Sequence, residues 1–419
     1  MARYHIETYG CTSNRGETQQ IERALRDGGH HPADGPASAD VAILNTCTVL
    51  EKTERNMLRR AEELDAETPG DLVVTGCMAL AQGDLFREAD VDAEVLHWDD
   101  VPEHVLNGEC PTVTPDTEPV LNGVVGILPI ARGCMSDCSY CITKQATGRI
   151  ESPPVAENVE KARSLVHAGA RELRITGQDT GVYGWDRNRG ESLLPELLER
   201  ICAIEGDFRV RVGMANPKGV HGVREDLARV FAAEEKLYNF LHAPVQSGSD
   251  DVLADMRRQH SVAEYVEVVE TFDAHLDHWT LSTDFITGFP TEDPRDHEQS
   301  LALLAETRPE KINVTRFSKR PGTDAADMKG LGGQTKKDRS TELTDLKMDV
   351  VGEAYEAMVG TDQSVLLVED GTEDSLVGYD EAYRQVVLPE GESRGYAVGD
   401  TVPVEITGHN TVYAFGTPR

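Results

Sequence analysis

Three thiols stand within eight residues in the run RGCMSDCSYC: Cys134, Cys138 and Cys141, spaced C-x3-C-x2-C. Three thiolates on one tight loop can hold three irons of a 4Fe–4S cube, one per iron. The fourth iron then keeps an open position that a substrate or cofactor can take, as at catalytic metal centres. Zinc is the alternative, but a closed structural zinc site takes four ligands and no fourth Cys or His lies nearby. A second set of thiols is dispersed. Cys11, Cys47 and Cys77 lie in YGC, NTC and TGC, each just after an apolar run. If those runs are parallel strands, the three residues converge at one sheet edge and form a second three-cysteine cluster site. Gly, Thr or Asn beside each thiol supplies tight turns and backbone N–H groups near sulfur. Cys110, next to a proline, and Cys202, on the apolar face of LLPELLERICAIE, read as structural thiols.

The elements that must position these residues follow from hydrophobic pattern. Tyr4–Thr8, Val41–Leu44, Leu72–Thr75 and Val91–Leu96 read as strands, with helices over Gln19–Arg26 and Lys52–Glu67, which predicts an open α/β sheet. Residues 107–123 carry three Pro and form a linker. Six further strands follow over Val124–Ala131, Glu172–Thr176, Phe208–Met214, Asn239–Val245, Trp279–Ile286 and Lys311–Phe317. Helical patterns at Val155–Ala168, Ser192–Ile204, Val262–Ala274 and Arg295–Glu306 alternate with them. Six β/α units in series predict a partial (β/α)6 barrel, whose ligands sit at the C-terminal strand ends. After a helix around Gln334–Met358, short strands at Ser364–Val368, Arg384–Leu388 and Thr401–Thr407 predict a small all-β barrel. The divisions are residues 1–106, 107–123, 124–350 and 357–419.

The 419 residues hold 74 Asp and Glu against 41 Lys and Arg, a net charge of −33. Taken alone, that argues against a nucleic-acid partner, because phosphate contacts draw on Lys and Arg. The basic residues are 30 Arg and only 11 Lys, and the acid is spread along the chain. Diffuse acid with scarce Lys keeps a surface hydrated while salt screens its repulsion, so the charge is read as halophilic adaptation. No apolar run approaches the roughly 18–20 residues that cross a bilayer, and the start has no signal-peptide core. The expectation is a soluble, cytoplasmic chain with no membrane partner and no structural disulfides.

RGC-x3-C-x-Y-C resembles the signature of the radical S-adenosylmethionine enzymes. With YGCTSNRGE, ILNTCTV and VTGCM before it and a small barrel behind it, nearly the whole chain resembles the methylthiotransferases. In that family an N-terminal cluster domain precedes a radical barrel and a TRAM barrel. CSYCITKQATGR, TGQDTGVYG, RVGMANP, APVQSGSD, STDFITGFPTE and NVTRFSKRPGT are similar to its archaeal and eukaryotic branch. The resemblance implies conversion of tRNA threonylcarbamoyladenosine, beside the anticodon, to its 2-methylthio derivative. Two 4Fe–4S clusters and S-adenosylmethionine are implied, with an electron donor and a sulfur source that the sequence does not name. The cluster on Cys134, Cys138 and Cys141 would cleave S-adenosylmethionine to a radical; the cluster on Cys11, Cys47 and Cys77 would carry the sulfur.

Other residues carry over by motif. Tyr140 is expected near the adenine of S-adenosylmethionine, and Gly177, Gln178 and Asp179 at its amino group. Gln246 and Ser247 are expected to face the pocket, and Gly288 to let backbone approach the cofactor. Asp284 stands where relatives have a small residue, so a contact there is in doubt. Between Arg308 and Lys347 ten basic residues meet six acids, so Arg316, Lys319 and Arg320 are candidates for tRNA phosphate contacts. The barrel after residue 357 has eleven acids and three Arg, unlike a basic RNA-binding module. Two other readings stand beside this one: a methylthiotransferase for another tRNA base or a ribosomal protein side chain, and a non-catalytic iron–sulfur protein that binds RNA or carries electrons. The TGQD and PVQSGSD strand ends favour an enzyme.

Overall fold

The computed structural model of the protein describes residues 2–48, 51–106, 108 and 119–419. Cys110 and most of the linker lie outside the described residues. The first unit is a parallel sheet of β1 (Arg3–Thr8), β2 (His31–Pro32), β3 (Val41–Thr46), β4 (Asp71–Thr75) and β5 (Ala93–Val95), in the order β2-β1-β3-β4-β5. The central β3 is buried along its length, as an apolar run covered on both faces should be. The helices Thr12–Asp27 and Glu51–Glu67 supply the cover. The first of these buries Ile21, Ala24 and Leu25 against the sheet at helical spacing.

The second unit carries β6 (Val125–Pro129), β7 (Glu172–Thr176), β8 (Arg209–Arg211), β9 (Phe240–His242), β10 (Thr280–Thr287) and β11 (Lys311–Arg316). They pair in parallel as β6-β7-β8 and β9-β10-β11. A bridge from Val210 to Leu237 and a hydrogen bond from Ala215 N to His242 O at 2.9 Å join the two sets. The six strands thus form an arc in chain order, and no pairing joins β6 to β11 among the described residues. β8 and β9 are shorter than their apolar runs. Beyond β8 the chain turns at Gly213, where a Cβ would lie 2.6 Å from Ile175 O, and beyond β9 it meets Pro244. The helix Pro217–Ala233 is a further difference from the sequence pattern. Its start reads PKGVHGV, and a kink at Val223 breaks the apolar period. Asn216 caps it by accepting from Lys218 N at 3.1 Å, and Pro217 takes the first turn, where its missing N–H costs nothing.

The long helix Gly333–Glu356 packs along β11 and leads into a closed barrel of β12 (Asp362–Asp370), β13 (Leu376–Tyr379), β14 (Gln385–Leu388), β15 (Thr401–His409) and β16 (Ala414–Pro418). β13 and β16 escape the sequence pattern because each is short and carries a glycine; at Gly378 a Cβ would lie 2.4 Å from Leu366 O. The turn between β13 and β14 inserts under the arc at the N-terminal strand ends. There Tyr383 stacks on Tyr379 at 4.2 Å, and the Lys311 ammonium lies 4.4 Å from the Tyr383 ring centre. Glu381 accepts from Arg209 at 3.0 Å, and its carbonyl accepts from Asn239 N at 2.8 Å. No described helix is long and apolar enough to cross a membrane.

The first unit docks on the arc by its C-terminal strand edge. Ser13 and Thr176 share a hydrogen bond at 3.1 Å, and the helix Gly76–Gln82 packs on the helix Thr143–Thr147. Arg320, just after β11, is 4% exposed. Its Nη2 donates to Thr48 O at 2.7 Å and Thr48 Oγ1 at 2.9 Å, and pairs with Glu54. Glu54→Ala leaves that guanidinium buried without its counter-charge, at an expected cost of about 3 kcal/mol. Hydrogen exchange should then speed up at Thr46, Thr48 and Thr323 while β12–β16 stay protected; an unchanged pattern would show that the pair does not hold the junction.

Candidate functional site

Cys11, Cys47 and Cys77 follow β1, β3 and β4, three neighbours in one parallel sheet, so chain direction alone carries them to one edge. Cys11 precedes the first turn of the helix Thr12–Asp27, and Cys77 lies in the first turn of Gly76–Gln82. Gly10 has φ 124°, and a Cβ there would lie 3.0 Å from the Cβ of Cys47. Gly76 has φ 86°, and a Cβ there would lie 2.2 Å from Asn45 Oδ1. These close approaches bring the loops together. Burial pushes the Cys77 thiol up, and Glu17, Cys11 and Cys47 add to the rise by their charge.

Beneath these loops lies a polar network that the motif reading missed. Buried Asn14 donates to Asn45 Oδ1 at 2.8 Å and to Thr46 O at 3.0 Å, and accepts from the Cys11 thiol at 3.4 Å. Buried Asn45 donates back to Asn14 O at 2.9 Å and to Thr18 Oγ1 at 3.1 Å. Glu17 is pushed up to about 7, mainly by burial and against the hydrogen bond from Asn45. The available signal was position: Asn14 lies three residues after Cys11, Asn45 two before Cys47.

The loop Arg132–Cys141 leaves the end of β6. Gly133 has φ 75°, and a Cβ there would overlap Arg149 O at 2.0 Å. Cys134 Sγ accepts from Ser136 N at 3.3 Å, and Cys141 N donates to Cys138 O at 3.1 Å. Ser139 ties the loop to the end of the helix Asp250–Asp255, donating by N to Met256 O at 3.0 Å and by Oγ to Asp255 O at 2.8 Å. Half-buried Arg258, also absent from the motif reading, points Nη1 at Cys138 Sγ, 3.8 Å away, and donates Nη2 to Pro244 O at 2.7 Å. Burial and the nearby Asp179 push the Cys134 thiol up to about 11. Metal binding must therefore displace protons that burial holds in place.

The remaining candidates fall into three groups. Tyr140, Gln246 and Asp284 line a cavity of about 530 Å³ beside Cys141, at the ends of β9, β10 and β11. Gln246 has φ 76°, and its buried Oε1 has no partner. Asp284 accepts from Asn313 at 2.7 Å and lies 3.4 Å from His242; burial pushes its carboxyl up, but these neighbours hold it below the ordinary value. Around the cysteine loop, Gln178 accepts from Gly133 N at 2.7 Å, and Gly177 passes close to Ala131 O. Asp179 is 2% exposed, accepts from Asn216 N at 2.8 Å and Gly181 N at 3.1 Å, and leaves Oδ2 without a partner. Burial raises its pKa to about 6. Ser247 and Gly288 stand apart from the cavity lining. Ser247 accepts from Ser249 N at 3.2 Å. Gly288, with φ 73°, packs on the Lys336 side chain rather than on an open space, and its N–H is held by Glu292. Of the three basic candidates, Arg316 and Lys319 are exposed. Arg320 does not join them: it is buried at the domain junction, out of reach of an RNA backbone.

Among the described residues no three Cys, His, Asp or Glu groups close on a single ion. A cube makes a different demand, since each thiolate binds its own iron, and both triads supply three thiols and no fourth ligand. The unpartnered buried acceptors Asp179 Oδ2 and Gln246 Oε1 suit an ammonium, and Tyr140 offers a flat face in the cavity. The residues present fit an iron–sulfur cluster with S-adenosylmethionine.

The sequence matches three family models: Uncharacterized protein family UPF0004 over residues 3–96, Radical SAM superfamily over 128–304 and TRAM domain over 356–418. It is 38% identical to an Archaeoglobus fulgidus protein named "Probable threonylcarbamoyladenosine tRNA methylthiotransferase", covering 99% of this chain and 98% of that one. A Danio rerio protein named "Threonylcarbamoyladenosine tRNA methylthiotransferase" is 30% identical over 100% of this chain and 78% of its own length. Among solved structures, the radical S-adenosylmethionine methyltransferase TsrM of Kitasatospora setae aligns with a TM-score of 0.58 at 13% identity, over 87% of this chain and 81% of that one. That likeness concerns the fold.

Gln178→Leu removes the acceptor of the Gly133 N–H and leaves a donor unpaired at the root of the cysteine loop. The expected cost is about 1–3 kcal/mol of local stability, read as faster hydrogen exchange at Gly133 and Cys134. Unaltered protection there would mean that the side chain does not brace the loop.

Proposed function

The chain belongs to the threonylcarbamoyladenosine tRNA methylthiotransferase family, and on that footing we propose that it converts threonylcarbamoyladenosine beside the tRNA anticodon to the 2-methylthio derivative. One observation carries the reading: two cysteine triads from separate sheets stand at facing C-terminal edges, joined through the helices Gly76–Gln82 and Thr143–Thr147. An enzyme that both activates an inert carbon and delivers sulfur to it needs two centres within reach of one base.

The units run over residues 1–106, 124–350 and 357–419, with 107–123 between the first two; the spans of the three family models support this division. Cys134, Cys138 and Cys141 hold one 4Fe–4S cluster, and Cys11, Cys47 and Cys77 hold a second. Bound iron–sulfur centres and S-adenosylmethionine supply the radical chemistry that an unactivated C2–H bond requires. The protein's part is to hold and orient. Asp179 and Gln246 present acceptors to the cofactor's ammonium, Tyr140 flanks its adenine, and Arg258 sets a positive charge beside the Cys138 thiolate. Asn14 and Asn45 fix the loops of the second triad. The reaction consumes an electron and a sulfur atom, so a donor of each must dock. Arg316 and Lys319 are exposed where tRNA must approach, and the net charge of −33 with scarce Lys supports work in a salt-rich cytoplasm.

Anaerobically reconstituted protein should bind about eight irons. The triple change of Cys134, Cys138 and Cys141 to Ala should halve that content and abolish formation of 5′-deoxyadenosine; persistent formation would overturn the assignment of the radical centre. The triple change of Cys11, Cys47 and Cys77 to Ala should leave S-adenosylmethionine cleavage in place and stop methylthio product. Nucleoside mass spectrometry of tRNA from a deletion strain should show loss of 2-methylthio-threonylcarbamoyladenosine and accumulation of its precursor. Retention of the methylthio nucleoside in that strain would refute the substrate.

A further inference from the structure

The cavity beside Cys141 has an electrostatic character opposite to that of the chain. Three cations line it, Arg316, Arg320 and Lys347, against one acid, Asp284, in a protein of net charge −33. The Asp284 carboxylate is already engaged by Asn313 and His242. Lys347, half-buried on the helix Gly333–Glu356, has its pKa lowered by burial, and no carboxylate opposes that. Neither the Lys347 nor the Arg316 side chain has an ion-pair or hydrogen-bond partner among the described residues.

Arg320 gives the second, independent sign. Only its Nη2 is used in the junction with Thr48 and Glu54; Nε and Nη1 are buried and have no partner. A buried unpaired donor is costly, and each of these two N–H groups, on different edges of the guanidinium, can donate singly to an anionic oxygen. RNA backbone phosphates cannot reach a residue that is 4% exposed. The cavity that Arg320 lines is where a group carried on an inserted base would lie.

We propose that Arg316, Arg320 and Lys347 recognise the carboxylate of the threonyl group on the substrate adenine and so set the enzyme's preference for this N6 substituent. This rests on the reaction proposed above, whose substrate ends in a carboxylate that an unmodified adenine lacks. The hydroxyl of the same side chain has a polar neighbour available in Asn313, which lines the cavity too.

The test uses the full chain with its clusters, in molar salt, and two versions of one tRNA: one with threonylcarbamoyladenosine and one with plain adenosine at that position. The natural sequence should bind the modified tRNA about 10- to 100-fold more tightly, the range of one or two charge-assisted hydrogen bonds. In the double variant Arg316→Gln, Lys347→Gln the ratio should fall towards one. Arg316→Lys, which keeps the charge but not the paired donors, should hold an intermediate ratio. A ratio unchanged in the double variant, with both tRNAs weakened alike, overturns the proposal and makes these cations phosphate contacts. Equal binding of the two tRNAs by the natural sequence overturns it as well. Methylthio product formation by the natural sequence, measured in parallel, tests the reaction itself, so the two failures read separately.

Discussion

A single buried guanidinium ties the chemistry of two folded units together. Arg320 follows the last strand of the arc, and its partners Thr48 and Glu54 follow the second cysteine of the N-terminal sheet. Both sheets are parallel, so each offers all its loop-bearing strand ends on one edge, and the junction presses those two edges together. Burying a charge of this kind is costly unless its partner is present, so the contact has little tolerance for slippage. The relative placement of the two triads depends on that contact together with the packing of the helix Gly76–Gln82 on Thr143–Thr147.

Within each edge, backbone crowding does what the junction does between them. Gly10, Gly76 and Gly133 adopt left-handed conformations at places where a Cβ would collide with a neighbouring loop. The thiols are therefore set by close-packed main chain and by amides such as Asn14 and Asn45, not by flexible side-chain reach. Burial raises the pKa of Cys77 and Cys134, so iron binding there must release protons that burial holds in place.

Most of this was legible in the sequence, for a physical reason. Parallel strands buried on both faces are nearly continuous apolar runs, so β3, β4 and β7 appear almost to the residue, and strand polarity then predicts where Cys11, Cys47 and Cys77 meet. What escaped was governed by tertiary contact. Pro217–Ala233 hid behind Pro, Gly and a kink; β13 and β16 are short strands whose glycines answer to steric crowding from across the barrel. At the site, Tyr140 and Gln246 lie on the cavity, but Gly288 packs on Lys336, and Arg320 is interior although its neighbours Arg316 and Lys319 are exposed. A run of basic residues gives charge, and only the fold decides which of them face solvent. Arg258 could not be singled out because its partner Cys138 lies far away in sequence, and for the Asn14–Asn45 pair only the position beside Cys11 and Cys47 gave a signal.

The turn between β13 and β14 closes the arc from below, and it belongs to a late part of the chain. During synthesis the arc's strands emerge well before Tyr379 and Tyr383, so Arg174, Arg211 and Lys311 wait at an unsealed floor until the last barrel is made. The C-terminal barrel thus acts as a completion seal. A chain cut short before it carries its cysteines intact yet uncovers half-buried cations and aromatic rings at the opposite end.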